Sequence, residues 1–296
     1  MDLRDYLIAT SSTSDLPRTY LDAHGIPFIS YSFTMDGKPC TDDCREETRA
    51  AIYRKMREGA LLKTSMISET AYADFFDSLL RTGQDAVYLD MSEKMSASYA
   101  NAAAAAETIR KRYPEQRLVV VDTRCISGGL GLLVKHLVRM KEAGATLDEV
   151  VAWADANKLR IAHRFTVDNL KYLKAGGRVS NASALVGTLL AIKPVLYVPD
   201  EGTLDVAQKV RGRKSALSAI LRAVLSDLSQ TDATGIEIDI LNADCLQDAE
   251  YIRDEIRKVH PEVGEFCITS LGVVIGAHCG PGLLTVFYLC NGRVPQ

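Results

Sequence analysis

The sequence predicts an α/β fold in two domains. Residues 1–160 read as a Rossmann-like parallel sheet with helices, and residues 161–296 as an α+β domain with a mainly antiparallel sheet. Three observations carry this. Short apolar runs alternate with helical segments as far as residue 143, the rhythm of repeated βαβ units. From Thr146 onward the pattern changes, and a hairpin signal surrounds Asp200-Glu201-Gly202. The chain has 296 residues, 47% hydrophobic and 25% charged, which suits a globular protein of about two domains.

In order, residues 6–9 are an apolar strand and 10–14 a hydroxyl-rich loop. Asp15-Leu16-Pro17 opens a short helix that Gly25 ends, and 28–33 is the next strand. Residues 40–59 read as a helix with a charged face. Cys40 and Cys44 fall one turn apart on it, without partners at metal-binding spacing, and read as two thiols on one face. Lys63-Thr64-Ser65 precedes a helix over 68–81, with Tyr72, Phe75 and Phe76 on its apolar stripe. Residues 86–89 are a buried-type strand. From there the stretch 89–113 runs through a polar loop into a long helix. Ser96 is its N-cap candidate and 102–106 is strongly helix-forming; free amides and the dipole at such a start favour an anion. Residues 118–121 form a strand ending at Asp122-Thr123. Gly128, Gly129 and Gly131, read as packing glycines, then introduce a helix to about 143. Strand ends that feed helix starts are where open α/β sheets bind ligands.

The second half reads as helix 147–158, strand 160–166, helix 167–174 broken at Gly176-Gly177-Arg178, and an apolar helix over 183–190. A hairpin of 193–198 and 204–209 follows, then helix 215–228, strand 235–241 and helix 249–260. Strands 266–270 and 284–289 flank a loop over 276–282 that carries His278.

Several function classes are excluded. A net charge of −3 argues against a general nucleic-acid binder. The seven scattered cysteines, with no apolar run near Met1, read as reduced thiols of a cytoplasmic protein. The longest apolar stretch, 185–198, is interrupted by Lys193 and Pro194, so at most a transient membrane contact is expected. There is no GxSxG elbow and no GxxxxGK[ST] loop, and neither a metal nor a cofactor is expected. Three polar stations remain: Thr64, Ser96 with its following amides, and His278. Taken singly, each is equally an ordinary structural residue. Together, two hydroxyls and a helix start make an uncharged cradle for a carboxylate. Lys209, Arg211, Arg213 and Lys214 form a basic cluster, a solvated face or one that meets phosphates or an acidic partner.

Seven segments together resemble the DegV family, fatty-acid-binding proteins that serve a separate fatty acid kinase. They are TSSTSDLP at 10–17, KTS at 63–65, MSEKMSASY at 91–99, LKAGGRVS at 173–180, GTLLAIKP at 187–194, KVRGRK at 209–214 and GAHCGPG at 276–282. The resemblance spans nearly the whole chain and rests on their order and spacing. It implies a two-domain, DegV-like fold with a bound long-chain fatty acid as ligand. Its carboxylate would be held by Thr64, Ser96 and the Ala97 amide, with His278 close by. Arg178 is implied in phosphotransfer or kinase contact, and we assign Arg211 of the basic cluster to the same role. The family protein is not itself catalytic: it presents the carboxylate to an ATP-dependent fatty acid kinase subunit and carries the acyl phosphate. Three positions depart from the family pattern. Ser11 stands where an aspartate is usual, Glu93 where a serine is usual and Ala97 where a glycine is usual. An inward-facing Glu93 would weaken carboxylate binding. For the acyl tail, Leu185, Val186, Leu189, Leu190, Ile192, Val273, Val274 and Ile275 supply apolar surface or plain core. The alternatives are a stand-alone enzyme on a small carboxylated or phosphorylated substrate, with His278 as acid or base, and a scaffold that docks a partner through the basic cluster.

Overall fold

A computed structural model of the chain describes residues 5–178 and 192–294. The first half contains β1 (Tyr6–Ser11), α1 (Arg18–Ala23), β2 (Phe28–Ile29), β3 (Ser32–Met35), β4 (Lys38–Thr41), α2 (Glu46–Arg57), β5 (Leu62–Thr64), α3 (Glu69–Leu80), β6 (Asp85–Asp90), α4 (Ser98–Arg112), β7 (Leu118–Asp122), α5 (Gly128–Glu142) and α6 (Leu147–Asn157). Four of its strands form a fully parallel sheet in the order β2-β1-β6-β7. The second half contains β8 (Ile161–Thr166), α7 (Leu170–Gly176), β9 (Ile192–Tyr197), β10 (Asp205–Arg211), α8 (Arg213–Ser229), β11 (Glu237–Asn242), α9 (Leu246–Val259), β12 (Glu265–Ser270), α10 (Val273–Cys279) and β13 (Leu284–Leu289). Its six-stranded sheet runs β10-β9-β8-β13-β11-β12, antiparallel except for the β11–β12 pair.

Local chemistry explains most boundaries. Ser68 caps α3 by accepting from Ala71 N, and Thr146 with Glu149 closes a capping box on α6. The alanines of α4 are packing residues: Ala102, Ala105 and Ala106 are wholly buried, and α4 lies against α3. The glycines of α5 serve close approach. A Cβ at Gly129 would lie 2.2 Å from His163 Nε2, so only glycine lets this helix meet β8.

Three expectations are corrected. The single strand over 28–33 splits: β2 joins the parallel sheet, while β3 turns away into a separate antiparallel sheet, β4-β3-β5. The helix over 40–59 begins only at Glu46, so Cys40 sits on β4 and Cys44 in a loop at φ +60°, not on one helix face. Thr64 is on β5, opposite Phe33, and precedes α3 as expected. His278 is on α10, because Val273, Val274 and Cys279 bury a short apolar helix inside the glycine-bounded loop. The expected helix over 183–190 lies outside the described residues.

One apolar core is shared by both sheets, running from Tyr6 and Ile8 through α5 to Leu241 and Phe287. A second lies under α8 and α9, around Ile220, Val224, Ile238 and Ile252. Among the described residues, no helix is long and apolar enough to cross a membrane.

Candidate functional site

The C-terminal ends of β1, β6 and β7 lie on the same side, because their sheet is parallel. Beyond them is a cavity of about 400 Å³. Four elements bring polar groups to it: Thr64 from β5, Ser96 and Ala97 from the β6–α4 loop, His278 from α10, and Arg178 from the end of α7. Met91, Met95, Ile126, Leu204, Val274 and Ile275 supply apolar wall.

Thr64 Oγ1 and His278 Nε2 are 2.8 Å apart, across 214 residues of sequence. Burial pushes the His278 imidazole down to about 4, and the nearby Arg178 charge adds to this, while the backbone at Gly176 opposes it. The ring is therefore neutral at neutral pH. Its Nδ1 is buried without a hydrogen-bond partner. The GGR motif now has a physical reason. A Cβ at Gly176 would lie 2.7 Å from His278 Nδ1, and Gly177 ends α7 in the left-handed region at φ +64°. Arg178 is exposed and donates from Nη1 to Gly176 O at 2.6 Å.

The N-cap position of α4 falls on Ala97, which makes no side-chain cap bond, and not on Ser96 as expected; Ser96, one residue earlier, accepts at Oγ from Ser98 N at 3.2 Å. The Ser96 hydroxyl donates to Ser98 Oγ at 3.0 Å, and Ser98 Oγ in turn accepts from Ile67 N at 3.0 Å. Tyr31, a cavity residue that sequence reasoning missed, donates from its buried hydroxyl to Ser96 Oγ at 3.5 Å.

Two of the three departing residues, Glu93 and Ser11, have local partners. Glu93 does not line the cavity. It is exposed and paired with Lys94 Nζ at 2.9 Å, and Lys94 holds its carboxyl below the usual range. Ser11 Oγ donates to Asp90 Oδ1 at 3.2 Å, so an aspartate from β6 supplies a carboxylate beside that loop. Burial raises Asp90 to about 6, against hydrogen bonds from Tyr72 and the Met91 amide.

Of the other candidates, Arg211 is exposed at the end of β10 and is not a cavity residue. Val274 and Ile275 line the cavity; Ile192 and Val273 do not. Leu185, Val186, Leu189 and Leu190 fall outside the described residues. Among the described residues, no group of three or more His, Cys, Asp or Glu is placed to hold a metal ion.

Fold and site together define an α/β protein with an internal, mostly apolar cavity headed by hydroxyls and a neutral histidine. The chain belongs to the DegV family. The family model, described as "Uncharacterised protein, DegV family", matches residues 6–291. A DegV domain-containing protein of Clostridium perfringens is 35% identical, over 99% of this chain and 100% of its own length. The solved structure of a DegV family protein from Thermus thermophilus, described by its fatty acid binding, superposes with a TM-score of 0.86 at 30% identity, covering 97% of this chain and 99% of that one. A DegV lipid-binding protein from Thermotoga maritima gives 0.84 at 28% identity, over 98% and 100%.

Proposed function

We propose that this chain binds a long-chain fatty acid, with its carboxylate at Thr64, Ser96 and the Ala97 amide and its tail along the apolar wall. One observation carries the reading: three stations distant in sequence line one cavity together with a wall of apolar side chains. The fatty acids bound by the Thermus thermophilus protein, and the stearic acid of a relative from Eubacterium ventriosum at 25% identity, support it. His278 acts through Thr64. In the tautomer protonated at Nε2 it donates to Thr64 Oγ1, and the threonine proton then turns to the carboxylate. Ser96 redirects its own proton from Ser98 to the second oxygen. Tail burial contributes about 0.8 kcal/mol per CH₂.

In this reading the protein is not an enzyme by itself. It works in the cytoplasm, in keeping with seven unpaired cysteines. It presents the carboxylate to an ATP-dependent kinase subunit, which the exposed Arg178 and Arg211 contact. We divide the chain near residue 160: the N-terminal part gives the carboxylate loops, and the C-terminal part gives α10 and tail surface.

Organic extraction and mass spectrometry of the purified protein should yield long-chain fatty acid. Thr64→Ala and Ser96→Ala each remove a donor to a charged group worth about 1.5–3 kcal/mol, so each should weaken binding by roughly tenfold or more. Lipid-free extracts, with no uptake of added fatty acid, would overturn the reading.

A further inference from the structure

A second cavity, of about 490 Å³, shares no lining residue with the first. It lies between the start of β8, the C-terminal turn of α8 and the chain after β13. Two arginines line it. Arg293 is fully buried: its Nε is 3.3 Å from Asp200 Oδ1, its Nη1 donates to Arg124 O at 2.8 Å, and its Nη2 is buried with no partner. Arg160 donates only to neutral oxygens, Cys290 O at 3.1 Å and Asn157 Oδ1 at 2.8 Å. Among the described residues, no carboxylate forms an ion pair with it. Asp200 and Asp227 also line the cavity: Asp200 is the counter-charge of Arg293, and Arg164, through Nε at 3.0 Å and Nη2 at 2.6 Å, and Tyr288 both donate to Oδ2 of Asp227.

The charge count is therefore uneven. One guanidinium facing the cavity has no counter-charge, and the other keeps a buried N–H with no acceptor. Both conditions cost free energy that a bound anion relieves. Planar guanidinium edges match the oxygens of a phosphoryl group better than they match a spherical ion. We propose that this cavity is a second binding site, for an oxyanion of the phosphate class, held between Arg293 and Arg160. The volume exceeds what a free phosphate fills, so the site also admits a small phosphomonoester.

The test is calorimetric titration of the full chain at low ionic strength, with inorganic phosphate and, separately, with phenyl phosphate. Saturable binding with a Kd below about 1 mM is expected for at least one of them. Tighter binding of phenyl phosphate identifies an organic phosphate as the natural class; equal binding identifies free phosphate. Arg293→Gln and Arg160→Gln should each weaken binding about tenfold or more. Arg160 is only half-buried, so its variant keeps the test sound should Arg293→Gln fold poorly. No saturable binding of either compound, or binding unchanged in both variants, overturns the proposal. Fatty acid uptake measured on Arg160→Gln reads the first cavity separately, since the two cavities have no lining residue in common and the side-chain hydrogen bonds of Arg160 go to Cys290 and Asn157, neither of which lines it.

Discussion

In the proposed site, a neutral histidine beside the carboxylate is a proton-linked detector of the ligand. His278 is held near 4 by burial and by Arg178. An anion arriving at Thr64, 2.8 Å from Nε2, stabilises the protonated ring and raises that value. By linkage, binding then takes up protons between the free value and the raised one, and affinity improves as pH falls through that window, until the ligand itself protonates. The proton NMR titration of His278, with and without fatty acid, reads this directly; a value that does not move on binding puts the carboxylate elsewhere. The stability consequence has its own sign. The folded value lies below the unfolded one of about 6.5, so this group's contribution is present above that pH and is lost as pH falls toward 4. That Thr64, Ser96 and His278 line one cavity was legible in the sequence because hydroxyls and a histidine among glycines are chemically conspicuous, whereas Arg178 came only from the resemblance to the DegV family. Tyr31, Met91, Met95 and Leu204 were not legible, because an apolar side chain that lines a cavity has the same composition signal as one that fills a core.

The element that sets the geometry is α10, which brings Val274, Ile275 and His278 to the cavity together. Its start is gripped by α2. Tyr53, fully buried, donates from its hydroxyl toward Leu271 O at 3.0 Å and Gly272 O at 3.2 Å. Arg49 donates from Nη1 to Ser270 O at 2.8 Å. A Cβ at Gly276 would come within 2.2 Å of the Tyr53 hydroxyl, so the two elements are in close contact over more than a turn. Tyr53 is thus a positioning residue for His278. Tyr53→Phe leaves the Leu271 carbonyl without its donor, while Gly272 O keeps Gly276 N at 2.9 Å, and should cost about 1–3 kcal/mol in urea unfolding. Positioning makes a further demand: the His278 titration should shift up toward that of a free imidazole, and fatty acid affinity should fall. If stability drops while both of those stay as in the wild type, Tyr53 is only a core residue. The sequence pointed away from a helix here, since Gly276, Gly280 and Pro281 surround His278 and signal a loop. The β4-β3-β5 sheet was hidden for a different reason. Its strands are three or four residues long, too short for an alternating pattern to register. The parallel sheet was readable because its central strand, β6, is buried along all six residues and therefore apolar between its terminal aspartates.

At the scale of the whole molecule, α5 is the seam between the two sheets. It lies against β1 and β6 on one side and β8, β11 and β13 on the other. A buried ion cluster crosses it: Lys135 Nζ meets Glu237 Oε1 at 2.8 Å and both oxygens of Asp239 at 2.8 and 2.9 Å. Burial draws the lysine's proton affinity down, but Asp239 and Glu237 outweigh it and hold the ammonium charged. Removing Lys135 leaves Asp239 buried without compensation, a loss of about 3–5 kcal/mol, while Glu237 keeps Arg139 Nη1 at 2.7 Å. A core and an ion cluster shared in this way couple the halves thermodynamically, although the sequence changes character near residue 146. Two probes separate one cooperative unit from two. Trp153, the only tryptophan in the chain, is on α6 and reports the N-terminal half by fluorescence, while far-UV circular dichroism averages over every helix and strand. Urea unfolding should give coincident curves from both probes, and Lys135→Met should move both to lower urea together. Curves that separate in the wild type, or a variant that shifts the dichroism while the Trp153 transition stays fixed, would mean that the halves unfold independently and that α5 belongs to one of them alone.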